Sequence, residues 1–475
     1  MGGARRKQAD FFFGMSIKIV GRRMERRDVV TSFLEHEGKI LILRRSEKVG
    51  TYRGRWAGVS GYLEEGEDPL HRALQELREE VGLTSEQVQL LRKGKPLLVP
   101  DLEKKVVWKV YPFLFRVKSD RIQMDWEHRE CQWIRPEEIG RYETVPKLEE
   151  TLERVWEKPG GQPLDPQVLR EIELIKADRW KGASQLAREA LRVVKLAAER
   201  YSPPKAADAG DYLGYLKQVG RLLMEARPSM AALANSVGFL LHQLLEKGKT
   251  EPPFSLRAFA LSKAEELIRQ SEEASAAAAR KAAELFPRKA KVMTHSYSST
   301  VLQAFHHALQ AGKGVEAVVT ESRPLCEGTA TAKALSEMGI PVAFIVDAAA
   351  GCFMDRVDLV LVGADSILAD GSAVNKVGTL TMALAARRSR VPFYVVCERL
   401  KFHVRSLLGE AVALEEKDPS EVVNPQTLPG VGVRNVYFDI TPADCLSGIV
   451  TEDGVLKPPS VSAHMEEMLK NLYLE

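Results

Sequence analysis

The chain has 475 residues, of which 45% are apolar and 28% are charged, and its formal net charge is only +3. This length predicts two or three globular domains with sizeable cores. The nearly balanced charge excludes a strong bulk attraction to nucleic acids or membrane surfaces. Five scattered cysteines without a CxxC pair argue against a disulfide framework and structural zinc, and they indicate a reducing, cytoplasmic location.

Residues 1–27 are predicted to be a tail outside the first domain. Eight basic residues surround the apolar triplet 11–13, and Lys18 interrupts any signal-peptide core. The sequence contains no run that is long and apolar enough to span a bilayer. The segment is either a disordered tail or the product of a start codon assigned too early, with Met15 or Met24 as the true first residue.

Residues 28–156 predict a mixed α/β domain. Two β-rich runs flank a turn at Gly38 and predict a hairpin, and two later runs, 106–117 and 131–134, predict further strands. A short helix is predicted at 136–139. This part of the chain should therefore form a sheet covered by helices.

The stretch from Gly61 to Leu83 carries the chemistry of this domain. Its apolar residues recur at three- and four-residue spacing, which predicts an amphipathic helix docked on the sheet. Glu76, Glu79 and Glu80 stand at i, i+3 and i+4, so three carboxylates share one helical face. A solvated surface helix tolerates such a trio in water, whereas a cleft-facing trio requires a divalent cation. Hard oxygen ligands of this kind favour Mg²⁺ or Mn²⁺.

This stretch resembles the Nudix box, in which glycines and glutamates recur at a long fixed spacing. The positions in register are Gly61, Glu67, Glu76, Leu77, Glu79, Glu80, Gly82 and Leu83. The resemblance implies an α/β/α sandwich in which Glu76, Glu79 and Glu80 ligate Mg²⁺ or Mn²⁺. It implies Glu67 as a supporting catalytic carboxylate. The implied reaction is hydrolysis of a diphosphate bond in a nucleoside diphosphate derivative.

One position departs from the box, because Gln75 stands where the family has arginine. In the family that guanidinium orients the neighbouring glutamate, whereas a glutamine amide donates only a neutral hydrogen bond. We therefore predict that Arg72, one turn before Glu76, supplies the lost charge. Glu127 and Glu130 lie further along the chain, and either one of them adds a carboxylate to the metal site or both belong to a solvated loop.

The composition changes after the first domain. Residues 157–166 contain three prolines and two glycines and predict a linker. Residues 167–285 predict about five helices without a strand. Residues 286–475 alternate short apolar runs with helices, which predicts a doubly wound parallel sheet. In such sheets ligands bind beyond the carboxyl ends of the strands.

Polar residues follow each of the five predicted strands of this sheet. They are Thr294–Ser296, Glu321–Arg323, Asp347, Asp365 and Glu398. Asp347 and Glu398 are equally well explained as helix caps. The loop with Asp365, Asn375 and Lys376 is the richest, because backbone amides at a helix N-terminus beside a lysine suit a phosphate.

A second resemblance lies in four stretches of this C-terminal half, 321–328, 363–379, 391–402 and 438–454. They resemble the initiation factor two-B superfamily, which includes regulatory subunits of the translation factor, methylthioribose-1-phosphate isomerase and ribose-1,5-bisphosphate isomerase. The likeness covers most of residues 167–475, and two N-terminal motifs of the superfamily fall at 181–183 and 227–229. It implies a Rossmann-like fold, self-association into a homo-oligomer, and a sugar phosphate or nucleotide as ligand. The residues implied in binding are Lys181, Gly182, Ala183, Arg323, Asp365, Asn375 and Lys376.

The isomerases of this superfamily move protons with a cysteine after a threonine–histidine pair, and here that position is Ser296. A serine hydroxyl hardly ionises near neutral pH, so the resemblance implies binding without conversion. Cys326, in a neighbouring loop, is either a substitute or a passive buried thiol. We therefore predict a Nudix hydrolase with a ligand-binding C-terminal domain. A sugar-phosphate isomerase is one alternative, and a module that binds an initiation factor is another.

Overall fold

The computed structural model of the chain describes residues 25–156, 163–202 and 209–474. Within these ranges no helix combines the length and the apolar character needed to cross a membrane. The predicted tail lies outside the described residues up to position 24, and positions 157–162 of the predicted linker do so as well. The domain boundaries stay a prediction.

The N-terminal part is built from strands with a few helices. Its elements are β1 (Glu25–His36), β2 (Lys39–Arg45), β3 (Trp56–Ala57), β4 (Val59–Tyr62), α1 (Pro69–Val81), β5 (Val88–Lys93), β6 (Leu97–Asp101), β7 (Val106–Val117), β8 (His128–Ile134), a 3₁₀ helix (Pro136–Arg141) and α2 (Leu148–Glu153).

The strands of this part form one mixed sheet with the order β3-β2-β1-β7-β5, and β4, β6 and β8 pair with β1, β7 and β2. β1 and β7 run parallel at its centre. The predicted hairpin is present, because β1 turns into β2 at Gly38, whose φ of 77° suits a residue without a Cβ.

Helices cover both faces of this sheet. Leu77 of α1 packs in a core with Val30 and Phe113, whereas Leu152 of α2 packs in a separate core with Phe33. Two apolar cores on opposite faces of one sheet make the α/β/α sandwich that the sequence predicted.

The middle of the chain is helical, as predicted. Its elements within the described residues are α3 (Pro166–Ala177), α4 (Ala183–Arg200), α5 (Ala209–Ala226), α6 (Ala231–Gly248) and α7 (Pro253–Glu284).

The C-terminal part alternates strands and helices. Its elements are β9 (Lys289–Thr294), α8 (Ser299–Gln310), β10 (Gly314–Thr320), α9 (Gly328–Glu337), β11 (Val342–Ile345), α10 (Ala350–Phe353), β12 (Leu359–Val362), β13 (Ser366–Ile367), β14 (Ala373–Lys376), α11 (Thr379–Ser389), β15 (Phe393–Val396), α12 (Val404–Leu407), β16 (Phe438–Thr441), β17 (Gly448–Thr451), β18 (Gly454–Leu456) and α13 (Val461–Leu469).

Seven of these strands form a sheet with the order β11-β10-β9-β12-β15-β17-β18. All neighbouring pairs are parallel except β17 and β18. The predicted doubly wound parallel sheet is therefore confirmed. A small antiparallel sheet of β13, β14 and β16 stands beside it and carries Asn375 and Lys376 on β14. The sequence did not predict this sheet.

The N-terminal part packs directly against the rest of the chain. Val107 of β7 belongs to the same apolar cluster as Leu472 near the C-terminus. Two ion pairs cross this contact, Lys95 to Glu225 at 2.9 Å and Lys217 to Glu153 at 2.8 Å.

Candidate functional site

Helix α1 sets the position of the predicted catalytic glutamates. The side chain of Asp68 caps its first turn by accepting the His71 N–H, and Gly82, with φ 69°, ends it in the left-handed conformation. Glu76 and Glu80 are buried, whereas Glu79 is exposed.

A glycine makes room for one of these carboxylates. A Cβ atom at Gly61 would lie 1.7 Å from Glu76 Oε1, so only glycine leaves the space that the Glu76 side chain occupies. The glycine of the box therefore has a packing reason in this chain.

The Glu80 carboxylate lies in an unfavourable environment. Its Oε1 accepts the Ser60 N–H at 3.4 Å, but its buried Oε2 has no hydrogen-bond partner among the described residues and lies 3.7 Å from Nε2 of the buried His128. Burial raises the pKa of Glu80 well above its usual value, and the negative charges of Glu76, Glu127 and Asp125 raise it further. Carboxylate oxygens are hard ligands of the kind that divalent cations prefer.

The structure distinguishes Glu127 from Glu130, the two candidates for an additional carboxylate at the metal site. Glu127 lies near the same carboxylates. Burial and the charges of Asp125 and Glu79 raise its pKa, and its own charge raises the pKa of Glu80. Glu130 instead forms an ion pair with Arg44 at 3.4 Å. Glu127 is therefore the better candidate for an additional carboxylate.

The remaining glutamates of the box are engaged by neighbours. Glu76 pairs with Arg72, Glu79 accepts from the Gln75 amide at 2.9 Å, and Glu67 accepts the Glu64 N–H at 3.1 Å. In this arrangement no three His, Cys, Asp or Glu side chains within the described ranges converge closely enough to enclose a metal ion. Glu79 would have to turn from Gln75 to bind one, whereas Glu76 could offer its second oxygen while Arg72 holds Oε1. The ligand set stays a prediction.

An aromatic cleft with a volume of about 110 Å³ adjoins this region. It is lined by Tyr52, Tyr62 and Trp108 and reaches Ser60 and Gly61 of β4. The Tyr52 hydroxyl donates to Asp101 at 2.7 Å and accepts from the Trp108 ring N–H at 2.9 Å, which fixes both rings. This cleft was not predictable from the sequence, because its aromatic residues come from three separate segments.

The C-terminal half contains a second cleft, which we call the C-terminal cleft and whose volume is about 80 Å³. It brings together most of the predicted binding residues. Those that line it are Lys181, Gly182, Ala183, Ser296, Asp365, Asn375 and Lys376. Residues of the first turns of α4 and α8 line it as well, and the N-terminal end of a helix favours a bound anion.

Asp365 is the central acidic group of this cleft. Burial raises the pKa of its carboxyl group, while the nearby cations Lys401, Lys376 and Arg227 oppose that rise. The Lys376 ammonium pairs with Glu327 at 2.7 Å and lies 3.5 Å from the centre of the Tyr437 ring. A carboxyl group with a raised pKa in a polar cleft is suited to proton transfer.

Arg323 lies apart from the predicted set. Its side chain is exposed, does not line the cleft, and donates to the Val422 carbonyl at 2.6 Å.

Asp347 accepts the N–H groups of Ser322 and Arg323 at 2.8 Å each, so it holds the loop in place as a cap would. Glu398 is buried and accepts from the Ser275 hydroxyl at 3.4 Å, away from the cleft lining.

Ser296 lines the cleft with its backbone in the left-handed region, at φ 64°. Its N–H donates to the Ser322 hydroxyl at 2.7 Å, and its carbonyl accepts from Thr331 at 2.8 Å. Cys326 does not line the cleft that contains Asp365, which favours its interpretation as a passive thiol.

Two buried cations of the cleft, Arg227 and Lys401, were not among the predicted site residues. Both fall in segments quoted for the superfamily resemblance, 227–229 and 391–402. Their burial depends on how α6 packs against the segment after β15, where Asn235 donates to the carbonyls of Leu400 and Phe402 at 2.7 Å. No local pattern in the sequence reveals that packing.

Each half of the chain matches a known protein family or domain. Residues 179–458, more than half of the chain, match the Initiation factor 2 subunit family. The chain belongs to this family. Residues 24–155 match the NUDIX domain, so the predicted fusion of the two is confirmed.

Members of the family with different names are similar to this chain. Ribose 1,5-bisphosphate isomerase of Haloferax volcanii is 36% identical over 306 residues, which are 64% of this chain and 93% of that protein. The protein of the same name from Archaeoglobus fulgidus is 37% identical over 297 residues, which are 62% of this chain and 90% of that protein. The crystal structure of the Pyrococcus horikoshii OT3 translation initiation factor eIF-2B superposes with a TM-score of 0.54 at 34% identity, covering 62% of this chain and 98% of that one.

Proposed function

We propose that the chain is a divalent-metal-dependent hydrolase that cleaves a diphosphate bond in a nucleoside diphosphate derivative at its NUDIX domain. The observation that carries the proposal is the buried Glu80 carboxylate, whose Oε2 lacks a hydrogen-bond partner among the described residues. A buried anion beside Glu76 and Glu127 costs stability unless a cation neutralises it. The proposed metal-binding residues are Glu76, Glu79 and Glu80, with Glu67 as a supporting catalytic carboxylate.

The chain's own residues would prepare this site before substrate arrives. Arg72 restrains the Glu76 carboxylate against Gly61, and the Ser60 N–H orients Glu80. When bound, Mg²⁺ or Mn²⁺ would polarise the diphosphate and lower the pKa of a bound water. Carboxylates that are already positioned need less rearrangement of their side chains to reach the geometry that the reaction requires.

The aromatic cleft supports a nucleoside derivative as the substrate. Tyr62 is 51% exposed, and its ring centre lies 6.0 Å from that of Trp108. Aromatic walls of this kind accept a planar base by stacking, while the neighbouring carboxylates remain within reach of the phosphates.

A metal-dependent substrate screen of the full-length chain tests the hydrolase proposal. Nucleoside diphosphate sugars, dinucleoside polyphosphates and nucleoside triphosphates would be incubated with and without Mg²⁺, and release of phosphate or mononucleotide would be measured. We expect release that needs the metal and is abolished by Glu79→Gln and by Glu80→Gln. Glu86→Gln, an exposed residue beyond α1, is the matched control. Metal-dependent release that survives both box substitutions would disprove the assignment.

We infer that the C-terminal cleft binds a sugar phosphate or nucleotide without converting it. Asp365, Asn375 and Lys376 line the cleft together with two helix N-termini, which suits a phosphate group. Ser296 provides no ionisable thiol at the position of the isomerase cysteine. Arg323 keeps its proposed role only if its loop moves toward the cleft.

Isomerisation of ribose 1,5-bisphosphate is the second candidate function. It is favoured by the raised pKa of Asp365 and by relatives that carry the name of that isomerase. Turnover of ribose 1,5-bisphosphate without metal, lost in Asp365→Asn, would support it over the binding role.

Further properties are proposed on the family relationship alone. We propose a homo-oligomer formed through the C-terminal half, a cytoplasmic location and, as a third alternative, an initiation factor as partner. Copurification with such a factor that is unaffected by Lys376→Ala would favour that alternative. The proposed organisation is a tail over 1–27, a NUDIX domain over 28–156, a linker over 157–166, a helical subdomain over 167–285 and a Rossmann-like domain over 286–475.

A further inference from the structure

Two buried polar atoms without hydrogen-bond partners lie next to each other beside the acidic region of the NUDIX domain. Oε2 of Glu80 and Nε2 of His128 are 3.7 Å apart, and neither atom makes a hydrogen bond within the part of the chain that the structure describes. The two side chains are only 4% and 1% exposed. A separation of 3.7 Å is within the range of an ion pair but too long for a hydrogen bond, so both atoms are buried without that compensation.

Asp125 fixes the orientation of the histidine ring. Its carboxylate lies 3.2 Å from His128 Nδ1, and because a carboxylate accepts hydrogen bonds, we assign the ring proton to this nitrogen. A neutral imidazole carries one such proton, so Nε2 keeps a free lone pair on the side of Glu80. Burial favours the neutral ring over the charged imidazolium. Two acceptor atoms are therefore neighbours, and a positive charge between them would remove their repulsion.

The loop that carries the histidine is anchored to α1 and to the segment after β2. The Asp125 N–H donates to the Glu80 carbonyl at 3.1 Å, and Asp125 Oδ1 also accepts the Glu127 N–H at 3.0 Å. On the other side of the loop, the Ser46 N–H donates to the Glu127 carbonyl at 2.7 Å. Backbone hydrogen bonds thus hold the imidazole near the Glu80 carboxylate.

The spacing of the two atoms suits a shared metal ion. Bonds from a metal to nitrogen and oxygen ligands in proteins are about 2.0–2.2 Å long, so one ion can bridge two atoms that are up to about 4.2 Å apart. A metal-binding histidine commonly donates its other ring N–H to a carboxylate, which fixes the ring and makes the ligating nitrogen more basic. Asp125 is placed to accept from His128 in this way. A third protein ligand would have to come from Glu76 or Glu127, whose charges raise the pKa of Glu80.

We propose that His128 Nε2 and Glu80 Oε2 bind the same divalent ion, and that the histidine makes the NUDIX site prefer a transition-metal ion such as Mn²⁺ or Co²⁺ over Mg²⁺. Transition-metal ions accept imidazole nitrogen readily, whereas Mg²⁺ prefers oxygen ligands in a near-ideal octahedron. This role rests on the proposed metal-dependent hydrolysis and defines which metal the site takes. The glutamate spacing on α1 does not include His128, which lies in a later segment of the chain.

Pulsed EPR on the full-length chain, purified without a histidine tag, tests the proposed ligand. The protein would be loaded with one equivalent of Mn²⁺, and the spin-echo modulation would be recorded for coupling to nitrogen. We expect a nitrogen coupling in the wild-type chain that is lost in His128→Asn. His71→Asn, at an exposed position of α1, is the matched control and should keep the coupling. A wild-type spectrum without nitrogen coupling would overturn the proposal and leave His128 as an ion-pair partner of Glu80.

Calorimetry with Co²⁺ and Mg²⁺ as separate probes tests the metal preference. The decisive quantity is the change in the ratio of the two affinities when the histidine is removed. We expect His128→Asn to weaken Co²⁺ binding about 10- to 100-fold and to change Mg²⁺ binding less than about twofold. Asp125→Asn should weaken Co²⁺ binding about tenfold, because the ring loses the carboxylate that orients it. An equal loss of affinity for both ions in His128→Asn would contradict the preference.

The outcomes separate this role from the function on which it rests. Mg²⁺-dependent hydrolysis without nitrogen coupling to bound Mn²⁺ overturns the role of His128 and leaves the hydrolase intact. Absence of divalent-ion binding in the wild-type chain overturns both. Because the imidazole is buried, thermal unfolding of His128→Asn in a chelator must be checked. If this variant does not fold, the wild-type spectrum and Asp125→Asn, whose substituted side chain is 20% exposed, give the decision.

Discussion

Arg72 and Glu76 form an ion pair one helical turn apart on α1, with the guanidinium directed at Glu76 Oε1. The side chains are only 23% and 7% exposed. On its other side Glu76 fills the space left by the missing side chain of Gly61. Gln75, at the position where the box has arginine, donates to Glu79 instead. The charge that orients Glu76 thus comes from Arg72, three residues before the usual position.

Removing this charge should impair the NUDIX site. We expect Arg72→Ala to lower metal-dependent hydrolysis about 10- to 100-fold, because groups that orient metal-binding side chains typically contribute that much. Initial rates at saturating substrate over a range of Mg²⁺ concentrations measure the effect. Arg78→Ala, an exposed arginine on the same helix, should leave the rates unchanged. Equal rates in Arg72→Ala and the wild type would show that Arg72 has no such role.

The position of the arginine should be exchangeable. In an Arg72→Ala background, Gln75→Arg should recover much of the lost rate, since it restores a guanidinium next to Glu76 on the helix. Gln75→Lys provides a compact charge without the planar donor geometry and should recover less. The same Mg²⁺ titration reports both variants, and equal recovery by lysine would mean that charge alone is required.

We expect Glu80 to destabilise the metal-free protein, although hydrolysis requires it. We expect Glu80→Gln to abolish hydrolysis and to raise the metal-free free energy of unfolding by about 1–3 kcal/mol, because it removes a buried charge beside other carboxylates. Thermal unfolding in a chelator measures this stability. Glu79→Gln should also abolish activity, but its exposed side chain predicts little change in stability. A less stable Glu80→Gln protein would contradict the repulsion that supports a metal site.

Regular elements with a clear period were predictable from the sequence. The amphipathic helix predicted within Gly61–Leu83 is observed as Pro69–Val81, and the strand predicted at 106–117 is observed with those bounds. Local spacing determines such elements, because it decides which residues of a helix or strand share a face. The sheet of β13, β14 and β16 was missed, since its register pairs Asn375 with Asp439 across a long separation in the chain.

The candidate sites likewise combine residues that local spacing reveals with residues whose positions depend on contacts between distant segments. The glutamate spacing on α1 is local, so the sequence revealed it. Asp365 follows a predicted strand, and Lys376 was predicted in the loop before a helix start. Lys401 was missed because its burial arises from contacts between distant segments. Arg323 was expected in the cleft, but its side chain turns outward toward Val422, and spacing along the chain does not determine that direction.

We expect Ser296 to prevent isomerase activity in the wild-type chain. We expect the wild-type chain not to convert ribose 1,5-bisphosphate measurably, and Ser296→Cys to gain turnover, because a thiol ionises far more readily than a hydroxyl. Conversion to the ketose product can be followed by NMR. Ser296→Cys combined with Asp365→Asn should lose the gained turnover, and Ser296→Ala is the control for the substitution itself. Wild-type turnover equal to that of Ser296→Cys would make the serine a competent catalytic group and restore the isomerase assignment.

His403 should make the fold sensitive to mild acid. It is buried at the start of α12, where its Nδ1 accepts the Ser406 N–H at 3.1 Å, and burial together with Arg405 lowers its pKa to about 4. The unfolded chain, with a histidine pKa near 6.5, binds this proton more readily than the folded chain does. Stability should therefore be fully present above pH 6.5 and fall as the pH drops toward 4, by up to about 3 kcal/mol from this group.

An asparagine at this position isolates the contribution of His403. Asparagine is a good helix cap and keeps an acceptor for the Ser406 N–H, but it does not titrate. We expect His403→Asn to show a smaller loss of thermal midpoint between pH 7 and pH 5 than the wild type, whereas His306→Asn, at an exposed position of α8, should follow the wild-type curve. An equal loss of thermal midpoint between pH 7 and pH 5 in His403→Asn and the wild type would mean that the buried imidazole does not resist protonation. The acid sensitivity would then have to come from other buried histidines, such as His295, whose pKa burial also lowers.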